Sequence, residues 1–133
     1  MISGVADTHA AIWFLFGDHR LSATAKDFFE KTAVARRKIV LSPISLAEVV
    51  YLVEKGRLPG SAFDDLRGAL SNPNHVLAEA PFTAEIVEAM RQISRGAVPD
   101  MPDRIVSATA VFLGVPLITR DGSIRASGVQ TVW

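Results

Sequence analysis

The chain has 133 residues, enough for one domain with a substantial core and too few for two comfortable ones. Its 14 basic and 14 acidic residues cancel, which excludes a global electrostatic footprint for nucleic acid, and its 49% of hydrophobic residues mark a rather apolar globular chain, part of whose surface is expected against a partner. Cysteine is absent, which excludes disulfides and thiolate metal sites and fits a reducing cytoplasm.

From the N-terminus, Ile2 to Ala6 reads as a short strand ending at Asp7, followed by a helix through Trp13 that Gly17 ends. Ser22 caps a second helix with Ala25, Phe28, Phe29 and Thr32 on one side, and Arg36, Arg37 and Lys38 close it where cations suit the negative helix end. Ile39 to Leu41 is a β-branched strand stopped by Ser42-Pro43. A third helix is expected from Ser45 to Lys55, ended by Gly56, and a fourth from a Ser61/Asp64 capping box to Asn72-Pro73. His75 to Ala78 reads as a strand, and Thr83 caps a fifth helix reaching about Ser94. After a loop over 95–102, a sixth helix runs from Asp103 to Leu113 and stops at Gly114. Val115 to Thr119 is a strand, Asp121-Gly122 a turn, and Val129 to Trp133 a last short strand. The longest apolar stretch, Ile105 to Ile118, is broken by Gly114 and Pro116. With no basic leader and no unbroken run of roughly 18 apolar residues, the expectation is a soluble cytoplasmic protein with no membrane span. Alternation of strand and helix without repeat or linker predicts one α/β domain over residues 1–133 with a mainly parallel sheet.

Four acids, Asp7, Glu48, Asp103 and Asp121, fall where strand-like runs give way to helix starts or turns. Each has a local structural role available. Asp7 is an N-cap, Glu48 completes a Ser45-x-x-Glu48 capping box, Asp103 suits the dipole of a helix start, and Asp121-Gly122 is a turn pair. What those roles leave unexplained is the shared topology, since in a right-handed βαβ arrangement such junctions meet along one sheet edge. Carboxylates gathered there without counter-cations call for a divalent metal, and without it at least one of their pKa values should rise. Asp100, three residues before Asp103, stands either as a solvated loop acid or as a support. Arg104 and Arg120 flank two of the acids and are open to two roles, phosphate binding or surface salt bridging. Three histidines and no cysteine leave little for a zinc hydrolase, and His9 reads as a packing or surface residue.

At this point the sequence resembles the PIN-domain family, and within it the VapC-type toxins of toxin–antitoxin pairs. The resemblance rests on DTHAAIWFL with the following LSATA, on SLAEVVYLVEKGRL, on PDMPDRIVSATA and on PLITRDGSIRASGVQTVW, in order across nearly the whole chain. It implies a three-layer α/β/α fold with a central, mainly parallel sheet. It also implies an Mg2+ or Mn2+ site at Asp7, Glu48, Asp103 and Asp121, with Thr119 as hydrogen-bonding neighbour and Asp100 as auxiliary acid. Homodimerisation and a ribonuclease activity neutralised by a cognate antitoxin follow from the same resemblance. Three departures stand out: the DPFDR-type segment reads Asp100-Met101-Pro102-Asp103-Arg104, its usual preceding histidine is replaced near Val98, and the tryptophan common before the second acid is Ala47. They bear on loop shape and substrate preference, because all four acids remain. Two other functions stay open. An acid-cluster phosphohydrolase wants a second Asp two residues after the first, where this chain has His9, and a catalytically inactive PIN module would act only as a protein- or RNA-binding partner.

Overall fold

Small and β-branched residues build the centre of the structure, a computed structural model that describes residues 1–133. Strands β1 (Ile2–Ala6), β2 (Lys38–Leu41), β3 (Leu77–Glu79), β4 (Leu117–Ile118) and β5 (Thr131–Val132) form one sheet in the order β3-β2-β1-β4-β5, every neighbouring pair parallel. Parallel neighbours cannot be joined by hairpins. The crossovers are α1 (Thr8–Leu15), α2 (Ala23–Val34), α3 (Pro43–Glu54), α4 (Ala62–Ser71), α5 (Ala84–Ala89), α6 (Met101–Leu113) and α7 (Gly122–Arg125), with a 3-10 turn over Met90–Gln92 extending α5.

The period-two alternation of the strands sorts their side chains into two cores. Ala6, Ile39, Leu41 and Ile118 pack into one with residues of α1, α2 and α4, where fully buried Phe29 stacks on Phe14 at 4.2 Å between centroids. Val5, Val40 and Leu117 pack into the other with Ile86 of α5, Val106 of α6 and Ile124 of α7. These are the three layers expected from the sequence. No helix is long and apolar enough to cross a membrane.

Strand order reverses at β1, which has β2 and β3 on one side and β4 and β5 on the other. In open α/β sheets the crevice outside the carboxyl ends at such a reversal is where ligands bind. Here Asp7 follows β1 and Asp121 lies just beyond β4, so two of the acids flank it directly.

The central strand is crowded at Gly4. A Cβ at that position would stand 3.0 Å from the Phe28 ring and 3.2 Å from the Pro116 carbonyl oxygen, which already accepts from Val5 N. The ring can move, but the carbonyl is held in the ladder. Gly4→Ala is therefore expected to destabilise the protein by about 1–3 kcal/mol, read as a lower urea midpoint with an unchanged slope.

Several local expectations need correcting. Helix α3 begins at Pro43, with Ser42 as N-cap, so the Ser45/Glu48 capping box does not form. The Ser-Pro pair outcompetes it, because proline at the first helical position is preorganised and its missing N–H is not needed. Ser45 is instead buried with its hydroxyl unpartnered, and Glu48 lies a turn inside the helix. At α4 the Ser61 side chain makes no cap hydrogen bond, and neither does Thr83 at α5. Helix α6 starts two residues early, with Asp100 at the cap position and Asp103 in the first turn. The Asp121-Gly122 turn is the start of α7, whose N-cap is Asp121. Only Asp7 and Asp121 therefore sit at strand ends; Glu48 and Asp103 reach the same edge from helices. Lys38 belongs to β2, and α2 is closed by Arg36 at φ 56, the only non-glycine residue with positive φ. Just past α1 and α3, and at the end of α6, the same left-handed conformation falls to Gly17, Gly56 and Gly114. An L side chain there costs roughly 1–2 kcal/mol.

Candidate active site

At the carboxyl edge of the sheet a cavity of about 390 Å3 is lined by Asp7, Glu48, Asp100, Asp103 and Asp121, together with His9, Trp13, Arg20 and Arg120. It is not the largest concavity. A groove of about 820 Å3 lies beside α2, but its one acid, Asp27, is paired with Lys31 on the same helix. Chemistry rather than size singles out the acidic cavity, since the structure brings all four sequence-derived acids and Asp100 to it.

Each acid is positioned from its own element. Asp7 caps α1 through Oδ1, which accepts from Ala10 N at 2.8 Å. The Thr8 hydroxyl donates across to Glu48 Oε1 at 2.5 Å, tying α1 to α3 and aiming the carboxylate that the capping box would have consumed. Asp121 Oδ1 accepts from Ser123 N at 2.9 Å, Ser123 Oγ at 2.5 Å and Ile124 N at 3.0 Å. Buried Thr119 accepts from Asp121 N at 3.0 Å through its hydroxyl oxygen, and that hydroxyl also supports the Asp7 carboxylate. Asp100 is exposed at the head of α6 and makes no side-chain cap bond.

Crowding shows in the proton affinities. Burial, followed by the like charges of Asp100, Asp121, Glu48 and Asp7, pushes Asp103 up to about 7. That is the raised carboxyl the sequence led us to expect. Burial also raises Asp7, against the lowering influence of Thr119, Ala10 N and His9. Asp121 is lowered by the Ser123 hydroxyl and by the backbone N–H groups it caps. The carboxylates ring the cavity rather than closing on a point: no three Asp, Glu or His side chains stand at the spacing of a formed metal centre. Oxygens of Asp7, Glu48 and Asp121 are tied to local donors, whereas the Asp100 and Asp103 carboxylates make no side-chain hydrogen bond. The donor set is all carboxylate oxygen, which suits a hard cation such as Mg2+ or Mn2+.

The arginines divide. Arg104 turns away from the cavity, and its Nη2 donates to Met90 O and Ile93 O, both at 3.0 Å. Beside its expected options of phosphate binding or surface salt bridging it has a structural role, because both Nη2 donors are committed to carbonyls at the end of the 3-10 turn. Arg120 stays at the cavity, its guanidinium carbon 4.6 Å from the Trp13 ring centroid, and it forms no ion pair. Arg20, which the sequence reading passed over, approaches the same ring at 5.0 Å while its Nη2 and Nε hold Asp18 at 2.7 and 3.0 Å. Trp13 also meets Trp133 at 6.0 Å and His9 at 5.5 Å. Helical spacing assigns Trp13 to the core, and it is buried, yet its ring is the seat of both guanidinium contacts at the cavity wall.

Fold and cavity together define an α/β/α domain with an acidic crevice at the topological switch of a parallel sheet. The PIN domain model matches residues 5–128, and the chain belongs to the PIN domain family. The structure is similar to a chain of VapBC2 from Rickettsia felis bound to a DNA fragment from its promoter (TM-score 0.71, 18% identity, 100% of each chain covered). It is also similar to a chain of a toxin–antitoxin complex from Klebsiella pneumoniae (TM-score 0.64, 24% identity, 98% and 97% covered). A third similar chain is from FitAcB of Neisseria gonorrhoeae (TM-score 0.61, 21% identity, 98% and 96% covered). At these identities the likeness speaks for the fold. No curated protein matches the sequence.

Proposed function

We infer that this chain is a divalent-metal-dependent endoribonuclease, the toxin of a toxin–antitoxin pair, working in the cytoplasm as a single PIN domain over residues 1–133. The observation that carries this reading is the five-carboxylate cavity at the switch point, in which burial, followed by like charges, pushes Asp103 up to about 7. Asp7, Glu48, Asp103 and Asp121 would hold Mg2+ or Mn2+, with Asp100 and Thr119 in support. A bound ion of this kind supplies charge neutralisation at phosphorus and an acidified water.

The chain's own groups do the rest. Thr8 keeps Glu48 directed into the cavity, and the α7 cap keeps Asp121 there. Asp121 Oδ1 is saturated by three donors, so its task is to hold, and Asp7 is the better placed of the two to take the proton of the attacking water. Arg120, and Arg20 beside it, receive the RNA phosphates at the rim, and stacking on Trp13 keeps the Arg120 guanidinium from collapsing onto the acids. A cognate antitoxin and a second copy of the chain are the proposed protein partners. Exposed Val87 of α5 and Val111 and Phe112 of α6 offer apolar surface for the second copy.

The test is incubation of the purified chain with structured RNAs in Mn2+ or Mg2+, beside a chelated sample and Asp7→Asn. Asparagine keeps the cap oxygen for Ala10 N, so the variant should fold. Cleavage that needs the ion and disappears in the variant supports the nuclease. Equal cleavage in variant and parent, or none by either, rejects it.

A further inference from the structure

The sheet edge opposite the acidic cavity carries the reverse charge. Where β2 begins, a concavity of about 510 Å3 is lined by Arg36, Arg37, Lys38 and His75, with no acid in its wall. None of these side chains belongs to an ion pair, so three cations stand uncompensated in a chain of zero net charge. Lys38 pairs with Ile2 at the start of β1, whereas Asp7 follows the end of that strand. A five-residue strand separates the two places by roughly 16 Å.

Two of the cations are held in place. Lys38 Nζ donates to Pro73 O at 2.7 Å and His75 O at 2.5 Å, which leaves one of its three N–H groups free. Arg37 Nε donates to Ser3 Oγ at 2.6 Å and its Nη2 to Ile2 O at 3.4 Å, so its guanidinium is oriented between this concavity and the groove beside α2, with Nη1 unengaged. His75 Nδ1 accepts from Leu77 N at 3.0 Å, which puts the proton of the neutral ring on Nε2. Cations already ordered lose little freedom on meeting a ligand.

Arg36 adds an independent sign. It occupies the left-handed position after α2, where the corresponding residues of α1, α3 and α6 are glycines. Nothing in the local packing rewards an arginine there, since its side chain makes no hydrogen bond or ion pair within the chain and is exposed beside the concavity. Backbone strain retained without a structural return points to a ligand.

We propose that this concavity is a phosphate-binding site, separate from the acidic cavity, in which Arg36, Arg37 and Lys38 supply the charge and His75 a neutral donor. Three cations lining one concavity match a phosphate group better than a single carboxylate, because a phosphate offers several acceptor oxygens. The phosphate comes either as a free anion or as part of a nucleic-acid backbone, and the proposal stands independently of the nuclease reading.

The experiment follows the His75 ring protons and the Arg36 Nε resonance by NMR, without divalent ions. The full chain is titrated with inorganic phosphate and separately with a single-stranded RNA, beside Arg36→Gly. Saturable shifts at both residues are expected, with affinity about tenfold weaker in the variant, the loss of one charge-assisted contact. Arg36→Gly should at the same time melt higher, because glycine relieves the left-handed strain, so weaker binding cannot be blamed on unfolding. Shifts with phosphate alone assign the site to a free anion, and shifts with RNA alone assign it to the nucleic-acid backbone. No saturable shift from either ligand, or unaltered binding by Arg36→Gly, overturns the proposal.

Discussion

Asp103→Asn is expected to lower RNA cleavage by about 10²-fold or more, yet to make the ion-free protein more stable above neutral pH. The sign follows from the direction of the shift. Asp103 titrates at about 7 in the folded chain against an ordinary 3.8. A carboxyl raised on folding contributes its stability in full below the unfolded value and loses it as pH rises through the folded one. The ion-free parent should therefore weaken between about pH 4 and pH 7 as the fifth charge enters the ring. Asparagine mimics the protonated form at every pH, so this part of the pH dependence disappears in the variant. Asp103 is only partly buried, and screening keeps the gain near 1 kcal/mol, or about 3–4 °C in melting temperature at pH 8. At pH 4 the two proteins should melt together. Saturating Mn2+ should invert the order, because an ion present at 100 times its Kd adds about 2.7 kcal/mol to the protein that binds it. A melting temperature that stays below the parent's at pH 8 without ions, or an Mn2+ response as large in the variant as in the parent, would refute the shared acidic site.

Much of the fold was legible because its signals are local. Ser22, Gly17, Gly56 and Gly114 delimit helices by side-chain capping or positive φ, and neither depends on the rest of the chain. The parallel sheet could be read ahead of the structure from the order of strands and helices along the chain, whereas the three layers were implied by the family resemblance. The misreadings come from competition between signals. Ser45-x-x-Glu48 is a valid capping box in isolation, and only Ser42-Pro43 three residues earlier shows where the helix starts. That competition matters for the site. A Glu48 spent on a cap would have been unavailable, whereas the real α3 start frees it to meet Thr8 from 40 residues away. Four-residue α7 is too short to show a helical period, so Asp121 read as a turn residue rather than as a cap.

The four acids could be grouped because each reads in the sequence as a junction residue, which holds for Asp7 and Asp121, whereas Glu48 and Asp103 reach the same edge from within α3 and α6. The cationic rim could not be grouped so easily. Arg20 and Arg120 lie 100 positions apart and come to one cavity because both reach the Trp13 ring. No periodicity carries that information. The opposite edge is similar: Arg36, Arg37 and Lys38 read as a solvated helix end until the fold brings His75 beside them. In both places a charge cluster acquires its meaning from which strands are neighbours, and strand order is set by packing rather than by local sequence.

Arg104 gives the sharpest contrast between charge in the sequence and charge in the structure. Its guanidinium spans the last carbonyls of the α5 extension, Met90 O and Ile93 O, and so fastens α6 to the segment before it. Its Nε is buried without a partner, a cost offset by Nη2, which satisfies Ile93 O and adds a second donor to Met90 O beside Ile93 N. Arg104→Ala removes both charge-assisted bonds together, and the expected loss is about 2–3 kcal/mol, or roughly 8–12 °C in melting temperature. Lysine should recover part of it, since one ammonium can reach a carbonyl but lacks the planar fork. The same helix carries Asp100 and Asp103, so loosening its start should also reduce cleavage, without changing how RNA binding responds to salt. Arg120→Gln should behave in the opposite way, leaving the melting temperature within about 1–2 °C and lowering the log–log salt slope of RNA binding by about 1. If Arg104→Ala melts like the parent and it is this variant that flattens the salt slope, the arginine faces RNA after all, and the strut assigned to it here is wrong.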